Sequence, residues 1–367
     1  NGNKGKLTFE ESSVFDAASK GVNTLTEIKV ECVAGSTVRI QKEIKSTGNV
    51  TLAVDSTLEL GGNITAADIS GETADGQGTL RFVNTAASTV TSTVGATWKM
   101  KAIEFSGNDV DFVGVVDHIG EFKFDAKDAM KVTFDAGTDV GTANFVNASA
   151  DSGVNHTVVL NAGNTTFVRE VAKATAATKQ IIFQLDDAKN AAINSVDTAG
   201  ASFITATSDK GKLDFTIADG IVHSAGASGQ ALESVTFTQN GTITNGVFAQ
   251  DIKVDAGKTA TLGGVIGGTK GVALAGAGST VKLSDGFTLD TAVVATTLDE
   301  GVVEFVGGGA VNKDIGTAAK RAKTVTFSDA DKSLVLNANI FATEANLKKA
   351  TVEAKKAVTI EIGRAHV

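Results

Sequence analysis

The chain has 367 residues, 42% of them hydrophobic, with a formal charge of −9 and a pI near 5.1; this sets it against nucleic acid, whose phosphates call for a basic stripe that releases counterions. It contains 40 Gly, 19 Phe, one Trp, one Cys, no Pro and no Tyr, and the abundant, evenly spread aliphatics and phenylalanines exclude disorder while the length allows one to three domains. No run approaches the roughly 18 apolar residues of a membrane-crossing helix, and no signal-peptide pattern follows Asn1, so the stretch as written is expected to be soluble.

In chain order the predicted elements are short alternating runs, most of them closing on phenylalanine. KLTF ends at Phe9, TLRF at Phe82, AIEF at Phe105, EFKF at Phe124, KVTF at Phe134 and TANF at Phe145. KLDF follows at Phe215, SVTF at Phe237, VVEF at Phe305 and TVTF at Phe327. Alternation with period two puts the apolar members on one face of a strand and Thr, Lys, Glu and Asp on the other. NVTLAVDSTLELGGNI (49–64) and KTVTFSDADKSLVLNANI (323–340) share one form: two such runs joined by a small, acidic corner.

The spacing carries the architecture. Phe82 to Phe105 is 23 residues, while Phe145 to Phe167, Phe215 to Phe237 and Phe305 to Phe327 are each 22. Recurrence at 20 to 25 residues, with two or three strands per unit, predicts an all-β fold, a parallel β-helix (β-solenoid) of stacked coils. Gly, Asn and Asp suit the tight corners, and proline, which cannot donate to a ladder paired on both sides, is absent. At strand spacings of about 4.8 Å, roughly 360 residues would form about 16 turns and a rod of roughly 75 to 80 Å. An all-antiparallel alternative rests on TFTQNGTITNG (236–246), since Asn-Gly is a hairpin signal.

Two segments rich in helix formers, DDAKNAAINSV (186–196) and ATEANLKKATVEAKK (342–356), read as short helices or as corner loops. Residues 1–361 read as a single solenoid domain. Ile362 to Val367, IGRAHV, breaks the alternation of AVTIEI and matches one translated frame of a common sequencing adapter; it reads as a library scar, excluded from fold reasoning.

Candidate sites are few. Cys32, in VECVAG, alternates as a buried core residue and leaves no partner for an internal disulfide. His118, His156, His223 and His366 lack a second ligand at metal spacing and are expected at solvent-facing strand ends or corners. Asp109 with Asp111, Asp186 with Asp187, and Asp329 with Asp331 could pair for acid–base chemistry on a polysaccharide, or serve as corner residues. With Trp98 alone and no Tyr, platforms for sugar rings are scarce. Calcium is conceivable at the Asp/Asn corners, but no nonapeptide repeat or EF-hand loop is present. TLGGVIGGTKG (261–271) fails as a phosphate loop, because Lys270 follows Thr269 instead of preceding a Ser or Thr and no helix follows. Asn49, Asn63, Asn147, Asn155, Asn164 and Asn240 open glycosylation triplets, which also arise by chance in an Asn- and Thr-rich repeat. No catalytic, cofactor-binding or metal-binding residue is assigned.

GNVTLAVDSTLELGGNITAADI, GQGTLRFVNTAASTVTSTVG, KAIEFSGNDVDFVG and GTANFVN together resemble passenger domains of the large rickettsial surface-antigen autotransporters, of the outer membrane protein B type. The resemblance lies in repeated G-x-L-x-F and V-T-F-x-x-x-G-T phrases over most of residues 1–360. It implies a surface-exposed β-helix exported through a C-terminal β-barrel, a surface-layer component and adhesin at the outer membrane. The implied partners are host-cell surface proteins or neighbouring surface-layer subunits, with a barrel continuing the chain beyond this stretch. That family has no catalytic motif, so no residue role carries over. A carbohydrate-active β-helix enzyme and a phage tail-spike or other surface-layer protein are the alternatives.

Overall fold

The computed structural model describes residues 5–15, 25–33, 35–117, 119–136, 143–150, 154–161, 165–167, 180–185, 190–195, 198–328, 332–347, 351–355 and 359–366. The chain divides into two compact units, Asn1–Gln184 and Leu185–Val367. Among the described residues there are strands and no helices, and the parallel sheets stack as a β-solenoid of about 14 turns.

In the first unit the chain alternates between two parallel ladders. One runs through Ser13–Phe15, Thr37–Ile40, Thr57–Leu60, Gln77–Phe82, Met100–Phe105, Ile119–Phe124 and Asn144–Asn147. The other includes Lys6–Phe9, Glu27–Val30, Val50–Leu52, Val110–Phe112, Lys131–Phe134 and His156–Leu160. In the second unit an eight-stranded ladder runs from Gly220–Val222 to Ile360–His366. Two further parallel ladders there contain Lys210–Phe215 with Leu232–Phe237, and Phe287–Leu289 with Gly309–Val311.

Register follows the phenylalanines. Phe82 faces Phe105 and Phe105 faces Phe124 in one ladder, and Phe215 faces Phe237, as Phe305 faces Phe327, in the other unit. The offsets between coils vary around the spacing of 22, with hydrogen-bonded partners 19, 22, 23 and 26 residues apart. Inward rings stack as their strands do, at 5.7 Å for Phe82–Phe105, 4.8 Å for Phe105–Phe124, 4.4 Å for Phe215–Phe237 and 4.9 Å for Phe305–Phe327. Each such pair adds about 0.5–1.5 kcal/mol beyond its buried area.

The G-x-L-x-F phrase has a steric origin. Gly78, Gly211 and Gly301 sit at φ +69, +69 and +78, a conformation costly for residues with a Cβ. A Cβ at Gly78 would lie 2.3 Å from Leu52, and one at Gly301 2.6 Å from Leu274. Each glycine therefore admits the leucine of the preceding coil into the space that its side chain would fill.

The antiparallel alternative is overturned. Leu232–Phe237 pairs with Lys210–Phe215 and Val247–Asp255, and Gly241–Ile243 with Gly220–Val222 and Thr259–Leu262, all parallel. Asn240-Gly241 turns the chain from one ladder to another, not back on itself. The two runs of KTVTFSDADKSLVLNANI likewise lie in different ladders, as Ala322–Phe327 and Ser333–Leu336; the corner residues 329–331 lie outside the described residues.

The short helix read over 342–356 is also overturned, because Ile340–Leu347 and Thr351–Ala354 are strands paired with Ala322–Phe327 and Ser333–Leu336. Intrinsic helix preference is worth tenths of a kcal/mol per residue, and a ladder with Ala342 and Ala345 facing the interior outweighs it. In 186–196, Asn190–Ile193 is a strand, while 186–189 and 196 lie outside the described residues. Ile360–His366 pairs in register with Ile340–Leu347.

Candidate functional site

The outward faces carry the chemistry. In the first unit the residue preceding each terminal apolar residue points outward, so Arg39, Glu59, Arg81, Glu104 and Lys123 fall in register on successive strands. The result is a column of alternating charge. Arg39 Nε lies 3.2 Å from Glu59 Oε2, Arg81 Nη1 3.1 Å from Glu59 Oε1, and Lys123 Nζ 3.5 Å from Glu104 Oε1. Arg81 also donates from Nε to Glu104 Oε2 at 2.5 Å. Glu59 and Glu104 side chains are only 15% and 12% exposed, so this column is less screened than free surface pairs, which are worth about 0–1 kcal/mol. Burial pulls the Arg81 guanidinium down, but Glu104 and then Glu59 hold it above its ordinary value. In the second unit Lys282 pairs with Glu304 at 3.2 Å, and Ser328 Oγ donates to Glu304 Oε1 at 2.9 Å.

Corner residues stitch one coil to the next. The side-chain oxygens of Asn63, Asp109, Asn155, Asn240, Asp314 and Asn339 accept the backbone N–H of Thr89, Lys131, Gln180, Thr259, Asn339 and Thr359, at 2.7–2.9 Å. Asn337 donates to Asn312, and Asn312 to Asp290, forming a side-chain ladder over three coils. Asp55, Asp209, Asp219 and Asp299 occupy φ of 54, 67, 63 and 59, which Asp tolerates better than most residues. Asn147, one of the glycosylation triplets, is buried and donates to the Val154 and Gln180 carbonyls. Asn164 lies outside the described residues.

Of the carboxylate pairs, Asp109 is one of the corner acceptors. Asp111 instead lies on the outer side of Val110–Phe112, beside Asp135 of the next coil. Burial first, and the nearby Asp135 next, hold its carboxyl above the ordinary range. Asp135 in turn accepts from Asn161 Nδ2 at 2.7 Å. Asp186, Asp187, Asp329 and Asp331 lie outside the described residues. Among the described residues no group of three or more His, Cys, Asp or Glu could hold a metal ion, and no helix is long and apolar enough to cross a membrane.

The histidines need a correction. His156 is fully buried, not at a solvent-facing corner. Its ring stacks 5.3 Å from Phe124, and its Nε2 lies 2.7 Å from Ser149 Oγ. The Ser149 hydroxyl donates to the Ala126 carbonyl at 2.8 Å, so it accepts from His156, placing the proton on Nε2. Nδ1 is then a buried lone pair without a hydrogen-bond partner, and burial drives the pKa down to about 4, against a small upward pull from Asp125. His223 is half-buried, with Nε2 3.0 Å from Asn245 Nδ2, and burial lowers its pKa. His118 and the His366 side chain lie outside the described residues.

Cys32 is buried, its Sγ 3.4 and 3.3 Å from the Phe9 and Glu11 carbonyls, and burial pushes its thiol up. Thr261–Gly271 holds the end of strand Thr259–Leu262, the short strand Val265–Gly267, the start of strand Gly271–Ala275 and the two tight corners between them, with Gly264 and Gly271 at φ +64 and +98. Trp98 is 40% exposed. A shallow groove of about 500 Å³ crosses the second unit, bounded by Asp285, Thr288, Ala310, Lys332 and Val335; Lys332 holds the Asp285 carboxyl below its ordinary range, helped by the Gly308 N–H.

Parallel coils, inward aromatic ladders and outward polar columns define a β-solenoid. The chain is homologous, at low identity, to Outer membrane protein B of rickettsiae: 25% identical to that of Rickettsia rickettsii over 358 residues, covering 84% of this chain and 20% of the relative. The proteins of Rickettsia conorii and Rickettsia japonica are 26% and 25% identical, covering 84% and 90% of this chain. The chain spans about a fifth of the length of these curated relatives. No family model matches it, and no solved structure does.

Proposed function

We propose that this chain is a segment of an autotransporter-type passenger at the bacterial outer membrane, exposed on the cell surface and used for non-catalytic contact with host-cell proteins or neighbouring surface-layer subunits. The observation that carries this reading is the similarity to Outer membrane protein B over 84% of the chain. The fold is compatible with it: outward side chains such as Arg81 and Glu104 bond to one another across coils, leaving long polar faces over which a partner's contacts can be spread. The test is saturable binding of the purified folded chain to cultured host cells or to surface-layer preparations. A folded chain that decorates neither overturns the reading.

One observation favours a second reading, action on a polysaccharide: Asp111 and Asp135 come from adjacent coils, and burial and then Asp135 hold the Asp111 carboxyl above its usual range, the kind of asymmetry that acid–base pairs use. Under that reading the parent chain releases reducing ends from an acidic or neutral polysaccharide and the Asp111→Asn variant does not.

A further inference from the structure

Besides Asn1-Gly2, the chain contains Asn-Gly pairs at 240–241 and 245–246, five residues apart yet held differently. In an Asn-Gly sequence the glycine nitrogen can attack the asparagine side-chain amide, because glycine lacks the Cβ that would obstruct the approach. Whether it does depends on how firmly the amide and the backbone are fixed.

Asn240 is fixed on both sides. Its Oδ1 accepts the Thr259 N–H at 2.9 Å and its carbonyl accepts the Asp219 N–H at 2.9 Å. Gly241 lies in a strand between Gly220 and Ala260, where an added Cβ would meet the Phe215 ring at 2.5 Å. Asn245 is exposed and lies outside the strands; its backbone N–H donates to the His223 carbonyl at 2.7 Å, so the difference from Asn240 lies in the attacking nitrogen. Gly246 has φ +111, and among the described residues its N–H donates to no backbone acceptor. The leaving nitrogen of Asn245, Nδ2, is 3.0 Å from His223 Nε2, a group able to exchange protons with it.

We propose that Asn245–Gly246 is a site of spontaneous deamidation built into a coil corner, with His223 as the positioning residue that holds the amide and passes a proton to the departing nitrogen. The Gly246 nitrogen gives up its proton to water and bonds to Asn245 Cγ; His223, to which the resting amide N–H donates, takes up a proton from solvent and delivers it from Nε2 to the nitrogen once Cγ is tetrahedral. The Cγ–Nδ2 bond breaks and ammonia leaves, forming a succinimide. Water then opens the ring at either carbonyl, yielding aspartate or isoaspartate at 245. No oxidant or further reactant is consumed. Isoaspartate adds a methylene to the backbone where the Gly246 carbonyl accepts the Ala225 N–H, and either product sets a carboxylate beside His223.

The test is prolonged incubation of the folded chain at neutral pH, digestion, and mapping of the mass increase of about 1 Da on the peptide spanning residues 213–253, with fragmentation to separate positions 240 and 245 and aspartate from isoaspartate. Conversion is expected at 245 with 240 intact, whereas in urea both sites convert at similar rates. Equal conversion in the folded chain, or an intact 245 while both convert in urea, overturns the proposal. His223→Gln, checked for an unchanged melting profile, is expected to slow conversion at 245 several-fold and to flatten its pH profile below about 6.5, the ordinary imidazole value from which burial lowers His223; an unchanged rate and profile remove His223 from the mechanism.

Discussion

His156 makes the stability of the first unit depend on pH in a way that one substitution can remove. The unfolded imidazole takes a proton near 6.5, but the folded one only at about 4, because burial removes the water that would solvate the imidazolium and the single vacant nitrogen faces no acceptor. Stability from this residue is therefore complete above pH 6.5 and lost as the pH falls toward 4, since the unfolded chain alone binds the proton in that window. At about 1.4 kcal/mol per pH unit between the two values, the loss reaches about 3 kcal/mol. His156→Phe preserves a ring against Phe124 and leaves Ser149 its bond to the Ala126 carbonyl. The variant is expected to lie within about 1 kcal/mol of the parent at pH 7.5 and to overtake it by about 2 kcal/mol at pH 4.5. Urea unfolding followed by the fluorescence of Trp98, in the same unit, measures both. Parallel losses in parent and variant on acidification would refute the reasoning; the other carboxylates cancel in that comparison.

Other consequences are open to measurement. Gly301→Ala forces a Cβ against Leu274 at a positive φ, and should cost about 2–4 kcal/mol by urea unfolding; Gly286→Ala, with open space around it, bears only the conformational part. Arg81→Ala leaves Glu59 and Glu104 facing each other across one coil, with an expected loss of about 1–3 kcal/mol that shrinks in high salt. Phe105→Ala, which removes a ring in contact with Phe82, Phe112 and Phe124, should cost about 3–5 kcal/mol. Asp135→Asn should bring the Asp111 titration, followed by carboxyl-carbon NMR, toward its ordinary value while leaving it elevated, because burial is the larger cause.

The period-two runs and their recurrence made the solenoid legible, because a phenylalanine such as Phe105 must point inward whichever ladder its strand joins. The column Arg39–Glu59–Arg81–Glu104–Lys123 was also written there, each member standing one place before the terminal apolar residue, but it becomes visible only once coils are aligned in register. Two readings failed for the same reason. ATEANL looks helical and Asn240-Gly241 looks like a hairpin turn when judged locally, and the strands on either side decide otherwise. The burial of His156 had a signal in HTVVL, where it stands in phase with the inward Val158 and Leu160; what its neighbours in sequence do not reveal is that Ser149 and Phe124 supply a partner and a face for a polar ring in that phase. The proximity of Asp111 to Asp135 depends on an offset between coils that no single run reveals.

The corner asparagines and aspartates give the winding a direction in time. Asn63, Asp109 or Asn240 offers an oxygen that nothing in its own winding satisfies; the matching N–H belongs to residues that come later in the chain. A polypeptide emerging amino end first would thus leave each finished loop with a row of waiting acceptors, ready to catch the next. Growth would proceed as a relay in which every completed lap prepares the landing place of its successor, and a fault at one corner would halt all laps downstream while sparing those already laid.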